Sequence, residues 1–425
     1  MNTTLASISS SGSSKKTVNS TVLQNLVRRI VLSRLEKLQS GQIALSEDGK
    51  HYMFGQLTDE FPLTVQLDVL SPKFYSDVAF GGAIGAGEAY IHGHWACAEL
   101  TEFLRILVRN RDVLEKVDSG LALLGKPLQK LFHVLNRNTR AGSRKNIASH
   151  YDLGNEFYKL WLDAKMMYSC AYFDSHDTSL EDASSEKLDR ICRKLDLSAG
   201  DSVIEIGTGW GGFAIYAAKH YDCHVTTTTI SQQQYDYAKR EVIAAGLEDK
   251  ITLLFRDYRD LDGRFDKLVS IEMIEAVGHE FHDEYFKKCC DLLKPNGQML
   301  LQTITIADQR YEQYKTGVDF IKRYIFPGGC LTSVTDMSRT MTRHTDMRAI
   351  HLEDIGPHYA TTLRHWHDRF FARIDKVREL GYSDAFVRMW QFYLCYCEAA
   401  FTERAIGTVQ MLIMRPGARC ERIRY

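Results

Sequence analysis

The chain has 425 residues, more than one compact core usually organises, so two domains are expected. With 44% hydrophobic and 25% charged residues the composition is that of an ordinary globular protein, and a net charge of -1 lacks the basic excess of a nucleic-acid binder. Ten cysteines without a CxxC pair suggest neither a disulfide framework nor a zinc or other metal site, and read as the reduced thiols of a cytoplasmic protein.

Residues 1–20 (MNTTLASISSSGSSKKTVNS) are rich in Ser and Thr, lack the apolar core of a signal peptide and are expected to form a disordered tail. No apolar run approaches the roughly 18–20 residues of a membrane span. Between Thr21 and Gln39 the positions Leu23, Leu26, Val27, Ile30, Val31 and Leu35 recur at helical spacing. Strand-like pieces follow at Gln42–Ala44 and Thr64–Val69, then the glycine-rich stretch GGAIGAGEAYIHGHW (Gly81–Trp95) and a helical region, Leu100–Leu135. From Thr101 to His150 ten Lys/Arg stand against four acids. Two readings stay open there: a mixed, solvated helix face, or a patch for anionic headgroups in which each charge contributes on the order of 1 kcal/mol. The segment AGSRKN (Ala141–Asn146) reads as a linker, which divides the chain into an N-terminal domain, 21–140, and a second domain, 141–425.

The second half alternates strand and helix. Strands are expected at Ser202–Gly207, His224–Ile230, Ile251–Tyr258, Phe265–Met273, Gly297–Thr305, Met347–Gly356 and Thr408–Pro416, with helices including Gly212–Tyr221, Ser231–Ala245, Glu280–Leu293 and Ala385–Arg404. Such alternation predicts an α/β fold, a mainly parallel sheet with helices on both faces.

The sharpest local feature is VIEIGTGWGG, Val203–Gly212, a strand running into Gly207, Gly209 and Gly212 before a helix. Alone, it suits a dinucleotide enzyme as well. Glu205, two residues before the first glycine, is placed to meet the ammonium of a methionine moiety, and a phosphate loop has no use for a carboxylate there. The second strand end, TTTTISQQQ (Thr226–Gln234), also lacks the acid that takes a ribose diol in NAD sites. S-adenosylmethionine (SAM) is therefore favoured over NAD.

In chain order come HYDLGNEFY (His150–Tyr158), MMYSCAYF (Met166–Phe173), EIGTGWGG, DYRD (Asp257–Asp260), SIEMIEAVGHE (Ser270–Glu280), YIFPGG (Tyr324–Gly329) and YLCYCEAAF (Tyr393–Phe401). Their order and spacing resemble those of the cyclopropane-fatty-acyl-phospholipid synthases and the related mycolic-acid methyltransferases, over at least His150–Pro416. A weaker match, GAGEAYIHGHW (Gly85–Trp95), is similar to the N-terminal domain of the phospholipid enzymes, a domain of a size the mycolic-acid enzymes lack.

The resemblance implies a seven-stranded Rossmann-like class I methyltransferase sheet behind a smaller N-terminal α+β lipid-binding domain. It implies that Tyr168, Ser169 and the backbone of Gly207, Thr208, Gly209, Trp210 and Gly211 hold the methionine part of SAM, with Thr229 and Gln234 on the ribose and Asp257 and Tyr258 on the adenine. Cys170, Glu275, Tyr359 and the segment QTITI, with Gln302 and Ile304, would line a bicarbonate site, the ion acting as general base. Tyr151, Tyr168, Tyr324 and Phe326 are the aromatic candidates for stabilising a carbocation. Cys397 matches a cysteine sometimes treated as catalytic, although with Phe386, Trp390, Tyr393 and Phe401 it falls on a helical core face. The implied substrate is an unsaturated phospholipid in a membrane, met transiently at the inner face by a homodimer.

One departure is plain: the known bacterial synthases read HTIG where this chain has Gln302, Thr303, Ile304 and Thr305. Glutamine hydrogen-bonds but does not titrate, so the fate of the cation, ring or methylene branch, stays open. A lipid-binding protein that keeps SAM without turnover is the reading of another class, and the YSC segment, Glu275 and Tyr359 argue against it. His279 is read as structural, and Asp152 and Asn155 as a helix cap.

Overall fold

The structure, a computed structural model, describes residues 13–112, 114, 138, 139, 142 and 153–419. The chain divides into two compact units, Met1–Lys126 and Pro127–Tyr425.

In the first unit α1, Ser13–Leu35, begins inside the Ser/Thr-rich stretch read as a tail. It buries Val27, Val31 and Leu35, whereas Leu26, expected on the same stripe, is exposed. Strands β1 (Gly41–Glu47), β2 (Lys50–Gln56), β3 (Thr64–Val69) and β4 (Trp95–Ala96) form a sheet of order β2-β1-β3-β4. Strand β2 was not expected, yet its signal is Asp48-Gly49, both at positive φ, the dipeptide of a tight hairpin. The glycine-rich stretch lies in α2, Lys73–Ile91, which breaks at Gly82. Trp95 anchors this core, with ring centroids 5.0 Å from Tyr90 and 5.1 Å from Phe103 and its indole N–H donating to Ala86 O at 2.9 Å. Helix α3 spans Leu100–Arg109, and the remainder of the expected helix from 115 to 135 lies outside the described residues, as do seven of the ten basic positions (Lys116, Lys126, Lys130, Arg137, Arg140, Arg144, Lys145).

The second unit holds β5 (Ser202–Ile206), β6 (His224–Thr229), β7 (Ile251–Phe255), β8 (Phe265–Ile271), β9 (Leu293–Ile306), β10 (Arg348–Asp354) and β11 (Ile406–Met414). Their order is β10-β11-β9-β8-β5-β6-β7, with β11 antiparallel to both neighbours and the rest of the ladder parallel. All seven expected strands are present, and the sheet is the class I methyltransferase arrangement. Alternate residues feed two cores. Val203, Val225, Val269, Leu300 and Leu412 pack on one face; Ile204, Ile206, Leu268, Met299, Leu301 and Ile413 pack on the other.

The helices are α4 (Asn155–Tyr158), α5 (Leu180–Lys194), α6 (Gly212–Tyr221), α7 (Gln232–Ala244), α8 (His282–Leu292), α9 (Asp308–Thr316), α10 (Val334–His344), α11 (Gly356–Ala372), α12 (Ile374–Glu379) and α13 (Asp384–Thr402). Serine caps start α5, α7, α10 and α13: Ser179, Ser231, Ser333 and Ser383 each accept from the backbone N–H three residues on. The chain leaves β5 towards β6 and returns on the other side at β8, so the crevice opens at the carboxyl ends of β5 and β8.

Candidate active site

Strand β5 delivers Glu205 and then turns through Gly207, Gly209 and Gly211, at φ of 104°, 53° and 95°, into α6. A Cβ at Gly209 would meet nothing within 4 Å, so the backbone there is bare towards open space, as a close-approaching ligand requires. At Gly212 the demand is packing, since a Cβ would come within 2.5 Å of Met167 Sδ. Glu205 is buried, accepts from Thr227 Oγ1 at 2.6 Å, and is raised by burial to about 8. Thr227 in turn meets Thr208 Oγ1 at 2.7 Å, tying the loop to β6.

At the end of β6, Thr229 Oγ1 donates to Gln234 Oε1 at 2.9 Å, which brings the two expected ribose residues together. After β7, Asp257 accepts from Arg259 Nε at 2.9 Å and from its terminal nitrogen at 2.7 Å, while the Tyr258 hydroxyl is buried. Trp210 Nε1 donates to Asn155 Oδ1 at 2.7 Å; Gly154 is the cap of α4, so Asn155 holds the glycine loop and is not a helix cap. Asp152 and Tyr151 lie outside the described residues.

The loop bearing Tyr168, Ser169 and Cys170 is shaped by Asp163, which accepts from Met167 N at 2.7 Å and Lys165 N at 3.0 Å beside Met166, itself at positive φ. Tyr168 meets Tyr393 hydroxyl to hydroxyl at 2.8 Å and packs 5.4 Å from Trp366 and 6.1 Å from Phe326. Tyr324 packs instead on Phe320, at 5.1 Å. Ser169 accepts from the buried Lys187 ammonium at 2.8 Å, whose pKa burial lowers to about 8 against the pull of Glu272, Asp163 and Glu205.

The centre of the site is a carboxylate that the sequence marks only as one of two acids, Glu272 and Glu275, three apart at a strand-to-helix turn, a pair that alone reads as a solvated end. Glu272, just beyond β8, sits at φ 48°, a left-handed backbone costing a non-glycine residue about 1–2 kcal/mol. Its Oε1 accepts from Cys170 N at 2.9 Å and Gln302 Nε2 at 2.9 Å, and its Oε2 accepts from the Tyr359 hydroxyl at 2.7 Å. Tyr359 therefore pairs with Glu272, which the left-handed turn swings back across the ends of β8 and β9. Glu275 accepts from Ile304 N at 2.6 Å and Thr303 Oγ1 at 2.8 Å, its Oε2 is buried, and burial with the nearby Glu272 raises it to about 8.

The amide of Gln302 is oriented by a chain of obligate donors. The Lys194 ammonium donates to Gln410 Oε1 at 2.7 Å and also bonds Glu353. Gln410 must then present its Nε2 to Gln302 Oε1, at 3.0 Å, and Gln302 its Nε2 to Glu272. The Cys170 thiol is buried and pushed up well above its ordinary value, so it stays protonated; its backbone N–H is what reaches the cluster. Cys397, on α13, is likewise pushed up by burial. The stripe with it is largely core: Trp390 and Phe401 are buried, and Trp390 packs 5.0 Å from Phe157. His279 lies in the short 3-10 turn His279–Phe281.

Glu272, Asp163 and Glu205 surround the buried Lys187, and Glu275 adds a further carboxyl beside Glu272. A cationic ligand beside a bare glycine turn fits such a site, and SAM is one. Bicarbonate does not fit: the donors expected for it, Cys170 N–H, Gln302 Nε2, Tyr359 OH and Ile304 N–H, already serve Glu272 and Glu275.

The sheet order, the glycine turn between β5 and α6 and the buried carboxylate beneath it define a SAM-dependent methyltransferase. Residues 138–411 match the mycolic acid cyclopropane synthetase family, and the chain belongs to it. It is 38% identical over 344 residues to the tuberculostearic acid methyltransferase of Mycobacterium tuberculosis, covering 79% of this chain and 80% of that one. It is 37% identical over 351 residues to the cyclopropane-fatty-acyl-phospholipid synthase of Escherichia coli, covering 82% and 87%. Among solved structures, the mycolic acid cyclopropane synthase CmaA1, complexed with SAH and CTAB, superposes with a TM-score of 0.60 at 29% identity, over 64% of this chain and 98% of that one.

Proposed function

We propose that the protein transfers the methyl group of SAM to a cis double bond in an unsaturated phospholipid acyl chain and that the product closes to a cyclopropane. The observation that carries this reading is the glycine turn of β5 beside a carboxylate cluster at the ends of β8 and β9, with Tyr168 packed among Phe326, Trp366 and Tyr393. Tyr168, Ser169, Glu205 and the turn Gly207–Gly211 would hold the methionine portion, Thr229 and Gln234 the ribose, Asp257 and Tyr258 the adenine.

Bound SAM supplies an electrophilic methyl to an alkene that is otherwise a poor nucleophile, provided the two are held in line. Attack leaves a cation on the acyl chain. Aromatic faces stabilise it by about 0.5–2 kcal/mol per contact, and a dry wall keeps water from quenching it to an alcohol. Loss of a proton from the added methyl then closes the ring. No step runs through bicarbonate.

Residues 21–140 are proposed as the part that binds lipid at the inner face of the membrane, in a homodimer. No helix among the described residues is long and apolar enough to cross a membrane. The likeness to a tuberculostearic acid methyltransferase, together with Gln302 in place of histidine, favours a second reading, a methyl- or methylene-branched product. Incubation with SAM and monounsaturated phospholipid vesicles tests both: mass spectrometry detects the added carbon, and proton NMR separates ring protons from exocyclic alkene protons. Absence of any SAM-dependent mass gain defeats both readings.

A further inference from the structure

We infer that Glu272 is the built-in general base of this enzyme, a carboxylate of the chain seated in the nest of donors that would otherwise hold a free anion, so that turnover needs no bicarbonate. The inference rests on the reading above for its substrate, and holds for ring or branched product alike.

Three donors from three distant parts of the chain converge on this side chain: Cys170 N–H before α5, Gln302 Nε2 on β9 and Tyr359 OH on α11. Such convergence marks an anion site, and its occupant belongs to the chain itself, on the residue that follows β8. The left-handed φ of 48° shows the backbone bent to bring it there. Gln302 is fixed in the donating orientation by Lys194 and Gln410, which makes the two buried residues positioning elements for the base. Glutamine at 302 is then what the site needs: it donates permanently and never competes for the proton.

The step balances simply. A C–H bond of the transferred methyl breaks, its electron pair forms the new C–C bond of the ring, and the proton passes to Glu272 Oε2; the cation and the carboxylate both become neutral. In the branched product a hydride first shifts from the methylated carbon to its cationic neighbour, and the C–H pair of the methyl then forms an exocyclic C=C bond. The objection to a carboxylate near a carbocation is alkylation, and the hydrogen bonds answer it. A carboxylate has about four lone-pair sites; two on Oε1 are taken by Cys170 N–H and Gln302, and one on Oε2 by Tyr359. The lone pair left suffices for a proton, which transfers at about 2.6–3.2 Å between heavy atoms, whereas an ester would require the pinned oxygen to close to bonding distance. Burial raises the affinity of Glu272 for a proton, which strengthens it as a base, and its partial exposure lets the proton leave afterwards.

The test compares turnover of the full chain on monounsaturated vesicles in buffer stripped of carbon dioxide and in the same buffer with added bicarbonate. Wild-type turnover is expected to agree within about twofold. Glu272→Gln should keep SAM affinity and lose about 10²–10⁴-fold in turnover, the usual weight of a general base. Glu272→Ala empties the donor nest, so added bicarbonate or formate should restore part of its activity but none of that of Glu272→Gln, whose amide still fills the space. Wild-type turnover that collapses tenfold without bicarbonate overturns the inference, as does a folded Glu272→Gln of near wild-type activity. Should either variant fail to fold, the wild-type comparison decides alone. No methylation by wild type under either condition defeats the proposed function instead.

Discussion

Replacing Glu205 by Gln should make the ligand-free protein more stable at neutral and alkaline pH while weakening its hold on SAM. Burial raises this carboxyl from 4.5 to about 8. A folded-state pKa above the unfolded one means that the folded chain keeps a proton the unfolded chain has lost. The stabilisation is complete below pH 4.5 and drains away up to about pH 8, at 1.36 kcal/mol per pH unit, about 4–5 kcal/mol in all. The Gln variant keeps an oxygen to accept from Thr227 and loses this dependence, leaving the similar contribution of Glu275, also raised to about 8. A charge-assisted hydrogen bond to the methionine ammonium is worth about 1.5–3 kcal/mol, so SAM affinity should fall about 10- to 150-fold. Thermal melts from pH 5 to 9 and calorimetric titration with SAM read the two effects. The reasoning is refuted if the variant melts with the wild-type pH slope, or if its SAM affinity stays within threefold.

Other outcomes follow from the same contacts. Tyr359→Phe removes one of the three donors to Glu272 and should lower kcat about 10- to 100-fold with SAM affinity unchanged in calorimetry. Cys170→Ala keeps the backbone N–H that bonds Glu272, so kcat should stay within threefold; a loss of 100-fold would assign the work to the thiol. Gln410→Leu leaves Lys194 and Gln302 each short of a partner, costing about 1–3 kcal/mol per buried group in denaturant melts. It should also lower kcat more than it raises KM, since Gln302 loses its enforced orientation.

The sheet was legible because its strands carry apolar alternation and end in turn residues, and β3 and α6 fall within the residues the pattern marks. Helix α2 was not, since Gly81, Gly82, Gly85 and Gly87 lower helix propensity by about 1 kcal/mol each. Tertiary packing overrides that: Ala79, Ala89 and Tyr90 are buried in it. In the site, the glycine turn and Glu205 could be read because their geometry is local. Glu272 could not, because its meaning depends on a left-handed turn and on Tyr359, 87 positions away. The hint lies in two separate features of the sequence, an acid three residues before Glu275 and glutamine in place of histidine at 302.

The most direct measurement uses SAM whose methyl group carries three deuterons, with monounsaturated phospholipid vesicles and mass analysis of the lipid. The account predicts that the acyl chain gains one carbon and two deuterons, the third passing through Glu272 to water, and that saturated vesicles gain nothing. Retention of all three deuterons, or label in saturated chains, would contradict it.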